Sequence, residues 1–246
     1  PSAEQKLQQI VAANKLPARK NVDDFVWIYK LLRSNKSAAP LIPDVANLAL
    51  NFESTIETPE SDYTPNESFN ACIIGLDTLA AIEKVVGGND ESDLGSRLKF
   101  VNHPNQFALS AAKAVYLGTD NSTISSRGWV AVQEDLFFAQ RVRYLVVIRM
   151  LDFRPPQVVS FEAPAQFQRG EMTAEAILCD AKERAMLGSF PFMAANPVDV
   201  TIQNAKNSTG AVEGLLRNLD AHANSTLRKA LRANFPNAVF PKRWSE

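Results

Sequence analysis

Apolar residues recur at helical spacing along most of the chain, whereas strict alternation of apolar and polar positions is rare. Two such stripes lie near the start, in residues 3–13 and 22–33, and the first follows a capping pattern of Ser2 and Gln5. Prolines and glycines mark the ends of several later helices. The periodic segments predict helices over residues 67–86, 104–117, 127–154, 173–187, 208–221 and 225–234.

Five arginines interrupt the longest apolar stretch, residues 127–154, which stops at Pro155. On a helical wheel, three of them share one side of the predicted helix with Glu134, Asp135 and Asp152. Guanidinium groups in an apolar region need internal carboxylates or an anionic ligand, because an unpaired charge is costly to bury. With five arginines and three carboxylates, the segment leaves two arginines without a local partner, and both explanations stay open.

Seven or eight predicted helices with almost no alternating segments indicate an all-α fold. A short strand is predicted only at residues 158–162, VVSFE. The helical core is assigned to residues 21–234, with a candidate boundary between two lobes at residues 120–126. An N-terminal arm, residues 1–20, ends in a basic linker with a proline. A C-terminal arm, residues 235–246, contains prolines that prevent a regular helix.

The charge balance makes the second half of the chain the candidate for anion binding. The net charge over 246 residues is −1, which gives the whole chain no attraction to nucleic acid or membrane. Residues 127–246, however, contain 15 basic and 12 acidic residues, and 11 of the bases are arginine. Arginine presents a planar fork of donors that suits phosphate and carboxylate groups.

Motifs of enzymatic chemistry are missing from the sequence, among them HExxH, CxxC, GxGxxG and GxSxG. The two histidines have no metal-ligand companions at local spacing, and Cys72 and Cys179 lie in apolar segments typical of buried thiols. We therefore expect no catalytic residues, no metal and no cofactor, and we do not expect an enzyme. The sequence also has no apolar segment typical of a secretory signal or a membrane span, which predicts a cytoplasmic protein.

Residues in and around the arginine-rich segment form a candidate surface for single-stranded RNA. Hydroxyl and basic groups can donate to phosphates, and nearby aromatic residues can stack on bases. The candidate RNA-binding residues are Lys113, Ser125, Ser126, Arg127, Arg141, Arg143, Arg149, Arg154 and Arg169. Apolar groups at the two ends need a partner surface. The candidate contacts between subunits are Leu7, Ile10, Val11, Phe235, Phe240 and Trp244.

This layout of a helical body, an arginine-rich central helix and arms at residues 2–20 and 235–246 resembles the coat proteins and nucleoproteins of filamentous RNA viruses. The resemblance implies a self-assembling capsid or nucleocapsid subunit. Such a subunit holds single-stranded RNA non-specifically in an arginine-rich groove, binds further copies of itself through its arms, and has no membrane partner. It implies a location in the virion and in the host cytoplasm.

Two other functions agree with the same residues. In an all-α adaptor or scaffold protein, the arginines form an internal network with carboxylates, and the aromatic tail binds a protein partner. In a helical enzyme, Arg141, Arg149 and Glu134 surround a buried polar site. RNA binding and assembly distinguish the first function from these two.

Overall fold

The computed structural model describes residues 3–35, 38–57, 63–88, 104–117, 121–160, 166–200 and 208–244. Its helices are α1 (Ala3–Ser34), α2 (Pro43–Ala46), α3 (Leu76–Val86), α4 (Pro104–Tyr116), α5 (Asn121–Arg141) and α6 (Ser208–Asn234). Its strands are β1 (Thr55–Glu57), β2 (Tyr63–Pro65), β3 (Ala71–Gly75), β4 (Tyr144–Arg154), β5 (Gln157–Ser160), β6 (Gln166–Gln168), β7 (Glu171–Asp180) and β8 (Ala185–Ala195). A 3₁₀ turn follows at Lys242–Trp244.

The protein is a mixture of α and β structure, so the prediction of an all-α fold with seven or eight helices was wrong. Four strands form a central sheet in the order β3-β4-β7-β8. β3 runs parallel to β4, whereas β4, β7 and β8 are antiparallel neighbours. The pairs β1-β2 and β5-β6 form two small separate sheets, and β5 confirms the strand predicted after Pro156.

The arginine-rich segment, predicted as one helix, is half helix and half strand. α5 ends at Arg141, and two residues later the chain continues as β4 in the middle of the sheet. The first five residues of β4, YLVVI, are all buried, and three of them are β-branched. A strand covered on both faces has a continuous apolar sequence, which periodicity does not distinguish from a buried helix.

Helices cover both faces of the sheet. On one face α1, α3 and α4 pack over a core that includes Cys72, Leu145 and Ile177. On the other face, buried residues of α6 spaced four apart pack against Ala71, Val146 and alternate residues of β7 and β8. The α6 residues are Leu219, Ala223, Leu227 and Leu231.

α1 is a continuous helix of 32 residues, so the linker predicted at residues 15–20 is helical despite Pro17. Its N-terminal half packs on α4 and α5 through Val11 and Ala18.

Asn21 of α1 also terminates α5. Its side-chain amide donates to the carbonyls of Ala139, Gln140 and Val142 at 2.9, 2.8 and 3.3 Å. The last carbonyls of a helix have no donor within the helix, and here α1 supplies one. Asn21, which lies inside α1, therefore caps the end of a different helix.

We expect Asn21→Ala to lower the free energy of unfolding by about 1–3 kcal/mol, because part-buried carbonyls lose their donor. Urea unfolding followed by circular dichroism measures the loss. Asn237→Ala is the control, since the exposed Asn237 amide makes only a 3.4 Å contact with Asn47. Equal stability of the two variants would contradict a capping role for Asn21.

Candidate nucleic-acid interface

Arg149 lies at the centre of a polar cluster between the sheet and the end of α1. Its guanidinium is 2.5 Å from a carboxylate oxygen of Glu175 on β7 and donates to the carbonyl of Asn35 at 2.8 Å. The other Glu175 oxygen accepts a hydrogen bond of 2.6 Å from the Ser189 hydroxyl on β8. The side chains of Arg149 and Glu175 are 12% and 13% exposed. An internal carboxylate therefore neutralises this arginine, and its buried Nε has no hydrogen-bond partner among the described residues.

Arg143 is likewise paired with a carboxylate from outside its own segment. Its Nε and a terminal nitrogen contact one oxygen of Asp180 at 2.9 and 2.8 Å. The other Asp180 oxygen accepts from the backbone N–H groups of Lys182 and Glu183, which holds the turn between β7 and β8. The hydrogen bond to Asp180 raises the pKa of Arg143 above its usual value. Two carboxylates of β7 therefore neutralise Arg143 and Arg149, which accounts for the excess of two arginines over carboxylates within residues 127–154.

The remaining predicted RNA-binding residues do not converge on one groove. Arg141 is exposed at the end of α5, just before β4, where it lies over the Phe137 ring at 4.9 Å. Arg154 lies at the other end of that 11-residue strand, about 35 Å away by the usual rise of a strand. Arg169 donates to the carbonyl of Asn196 at 2.6 Å, close to the Arg154 end, and Lys113 lies in the last turn of α4.

Three predicted residues lie at the start of α5, where the structure describes the backbone alone. Ser125, Ser126 and Arg127 belong to the first two turns of that helix. The sequence predicted Ser125 and Ser126 in a boundary between two lobes and Arg127 at the start of a helix. Their side chains lie outside the described residues, and their predicted role stays a prediction.

Most of the predicted subunit contacts pack within their own chain. Val11 and Phe235 are buried, and Phe240 and Trp244 both contact the ring of Phe52. Ile10 is 40% exposed on α1, and the side chain of Leu7 lies outside the described residues. The C-terminal segment is therefore docked on its own domain in the single chain.

This docked segment forms a surface cluster of arginines and aromatic rings with the end of α6, here called the tail cluster: Arg228, Arg232, Phe240 and Trp244. The Arg228 guanidinium lies 5.3 Å from the Trp244 ring centroid, and that of Arg232 lies 5.1 Å from the Phe240 centroid. The two rings are 5.8 Å apart. Arg232 is exposed, and the other three residues are half-buried.

Backbone hydrogen bonds fix the tail cluster in place. The N–H of Val239 donates to the carbonyl of Leu50 at 2.8 Å, and the N–H of Phe52 donates to the Val239 carbonyl at 2.9 Å. The ring of Phe52 then stacks on Phe240, with centroids 5.3 Å apart and planes within 5°. Arg232 also donates to the carbonyl of Trp244 at 3.1 Å. The aromatic surface is thus preorganised by the fold.

The charge around the tail cluster is positive. Residues 221–244 contain five lysines and arginines and no aspartate or glutamate. The carboxylate of Glu53 also reaches this segment, where it accepts from the N–H of Lys242 at 3.1 Å. The excess of basic residues over residues 221–244 is visible in the sequence. The prediction of a separate C-terminal arm, however, did not place the aromatic residues of the tail beside the arginines of α6.

Both cysteines are buried free thiols. Burial raises the pKa of the Cys179 thiol to about 12, and it raises that of Cys72 further, so both stay neutral at pH 7. A cavity of about 10 Å³ below Trp244, lined by Phe69 and Cys72 among others, has room for one water molecule. No group of three metal-ligating side chains is found among these residues, nor a helix long and apolar enough to cross a membrane.

Comparisons with protein-family models, with curated proteins and with solved structures find no match for this chain.

Proposed function

We propose that this protein binds single-stranded RNA without sequence readout, as a self-assembling capsid or nucleocapsid subunit. The observation that supports the proposal is the tail cluster, where two arginines one helical turn apart lie on two aromatic rings. Proteins that hold single-stranded nucleic acid combine a positive surface with flat groups on which bases stack, either aromatic rings or arginine guanidiniums. In the tail cluster the guanidiniums lie over the rings, and the exposed guanidinium of Arg232 is the flat group offered to a base. A guanidinium lying on a ring keeps its N–H donors at its edge, where phosphate oxygens can accept them.

The tail cluster suits this role better than the arginines of β4. Arg143 and Arg149 are held by Asp180 and Glu175, so contact with a phosphate would leave a carboxylate unpaired. In the tail cluster the described partners of Arg232 are a ring and a backbone carbonyl, both uncharged. Its positive charge remains available to an anion. Arg141, exposed at the far end of α5, is a further contact in the proposal.

The test is binding of a labelled oligouridine to wild type and to the double variant Arg228→Ala/Arg232→Ala. Each lost charged hydrogen bond weakens binding, and we expect the double variant to bind about 10- to 100-fold more weakly at low salt. Loss of two phosphate contacts also lowers the slope of log affinity against log salt by about 1.4. Fluorescence anisotropy over a salt series measures both effects.

Arg217→Ala is the matched control, because Arg217 is an exposed arginine on the same helix outside the tail cluster. We expect it to bind oligouridine almost as wild type does, and circular dichroism verifies that all variants are folded. Wild-type protein that does not bind at low salt contradicts RNA binding altogether. A double variant that binds as well as Arg217→Ala contradicts the assignment to the tail cluster.

An interaction protein without RNA binding is the second candidate. It is favoured by the pairs Arg143–Asp180 and Arg149–Glu175, which are the internal arginine–carboxylate network expected of an adaptor or scaffold. The same binding experiment separates the two functions, because this protein would show no salt-dependent affinity for oligouridine.

A further inference from the structure

One edge of the central sheet is open over half the length of β4. β3 pairs only with residues 144–148 of β4 and then turns into α3 at Gly75. Residues 149–154 continue for about 20 Å at the usual rise of a strand. Among the described residues, no strand pairs with them on the side opposite β7. Their backbone on that side is available to another strand.

Apolar side chains are exposed along the same stretch. Met150 and Leu151 are 41% and 55% exposed, and Leu151 lies at a bulge in the pairing with β7. Exposed, unpaired and partly apolar edges promote pairing with another chain, and proteins usually protect them. The bulge at Leu151 and the charged side chains of Asp152 and Arg154 protect this edge against strands of arbitrary sequence, so a partner strand has to match these charges.

The opposite edge of the sheet, strand β8, is partly covered by a neighbouring segment of the chain. There the N–H of Ser189 on β8 donates to the carbonyl of Ala39 at 2.8 Å, and the N–H of Leu41 donates to the Ser189 carbonyl at 3.2 Å. Two residues further along β8, Pro191 has no N–H to offer an incoming strand. No described segment covers residues 149–154 of β4 in this way.

The charges along the open edge indicate that the partner is a second copy of this chain. Asp152 and Arg154 lie on one side of β4, opposite Thr173 and Glu171 of β7, and are 62% and 71% exposed. Two antiparallel copies of β4 centred on Phe153 place Asp152 of each copy opposite Arg154 of the other. Within one chain, Arg154 approaches Asp152 and Glu171 only to 3.6 Å, so these loose pairs leave it able to bind a second carboxylate.

We propose that the β4 edges of two copies pair in antiparallel orientation about a two-fold axis at Phe153, which joins two four-stranded sheets into one of eight strands. The pairing runs from Leu151 of each copy to Pro155 of the other, where the missing N–H of proline ends the ladder, and it covers the exposed Leu151 side chains. This inference rests on the self-assembly part of the proposed function and specifies the surface that carries it. The proposed pairing of β4 edges does not use the terminal arms.

The test uses two charge variants of the full chain without RNA. Asp152→Arg puts arginine opposite arginine across the two-fold axis, and Arg154→Asp puts aspartate opposite aspartate. We expect each to raise the Kd of the wild-type dimer about 100-fold, since like charges are brought together twice. An equimolar mixture of the two variants, and the double variant Asp152→Arg/Arg154→Asp, restore opposite charges and are expected to dimerise as wild type does.

Sedimentation velocity over a concentration series measures the association, and circular dichroism verifies folding. Recovery in the mixture cannot come from a folding defect, because each variant alone would retain that defect. A wild-type protein that stays monomeric overturns the proposal, as does association that is unchanged in the single variants. Oligouridine binding by such a monomer would leave RNA binding intact, so failure of this inference is distinguishable from failure of the proposed function.

Discussion

Replacing Arg149 with alanine is expected to lower the free energy of unfolding by about 3–5 kcal/mol. The substitution leaves the carboxylate of Glu175 buried beside the Ser189 hydroxyl, its remaining donor in the described structure. It also removes the donor to the Asn35 carbonyl, which attaches the end of α1 to the sheet. An uncompensated buried charge is among the most destabilising results of a single substitution.

Urea unfolding of Arg149→Ala measures this loss, and Arg217→Ala is the control. Arg217 is exposed on α6, outside both proposed binding surfaces, so its replacement is expected to change stability by less than about 0.5 kcal/mol. The variant Arg149→Ala/Glu175→Ala is expected to be more stable than the sum of the two single effects, because it leaves no unpaired charge. Wild-type stability of Arg149→Ala together with weaker RNA binding would support the sequence prediction for this residue instead.

Phe235→Ala is expected to destabilise the fold by about 3–5 kcal/mol through the cavity it leaves. Phe235 follows α6 directly and is fully buried on the α6 side of the sheet. Its ring meets Phe190 of β8 edge to face, with centroids 6.1 Å apart. The sequence predicts Phe235 as part of an arm that binds other subunits, whereas its burial makes it a core residue of its own domain.

Thermal and urea unfolding of Phe235→Ala and Phe240→Ala distinguish these two roles. Phe240 is only half-buried, so its replacement removes less packing and is expected to cost about 1–2 kcal/mol. An arm residue would change assembly and leave the stability of the monomer unaltered. A Phe235→Ala variant with wild-type stability would therefore contradict its place in the core.

Helix ends with a local chemical signal were predictable from the sequence. Pro104 begins α4, and the glycines at residues 87 and 88 follow the last residue of α3, as predicted. The strands were missed because β3 and the first half of β4 are buried on both faces and have no alternation to detect. β7 contains alanine, glutamate and leucine, which favour helix, and its pairing with two neighbouring strands overrides that preference.

The candidate site differed from the prediction for a related reason. Counting charges within residues 127–154 found two arginines in excess, but their carboxylates lie 37 and 26 residues away along the chain, at Asp180 and Glu175. Only the antiparallel pairing of β4 with β7 brings these arginines and carboxylates together. The tail cluster depends in the same way on hydrogen bonds between Val239 and Leu50, which no local pattern encodes.

The sequence by itself determined the local features of this protein: where α4 begins, where α3 ends, and an excess of arginine in the second half of the chain. Such features depend on a few neighbouring residues and on composition. The tertiary structure alone decided that the apolar half of the arginine-rich segment is a central strand, that Arg143 and Arg149 are neutralised by β7, and that the tail lies against α6. These outcomes depend on strand register and on burial from both sides, which bring together residues far apart in the chain.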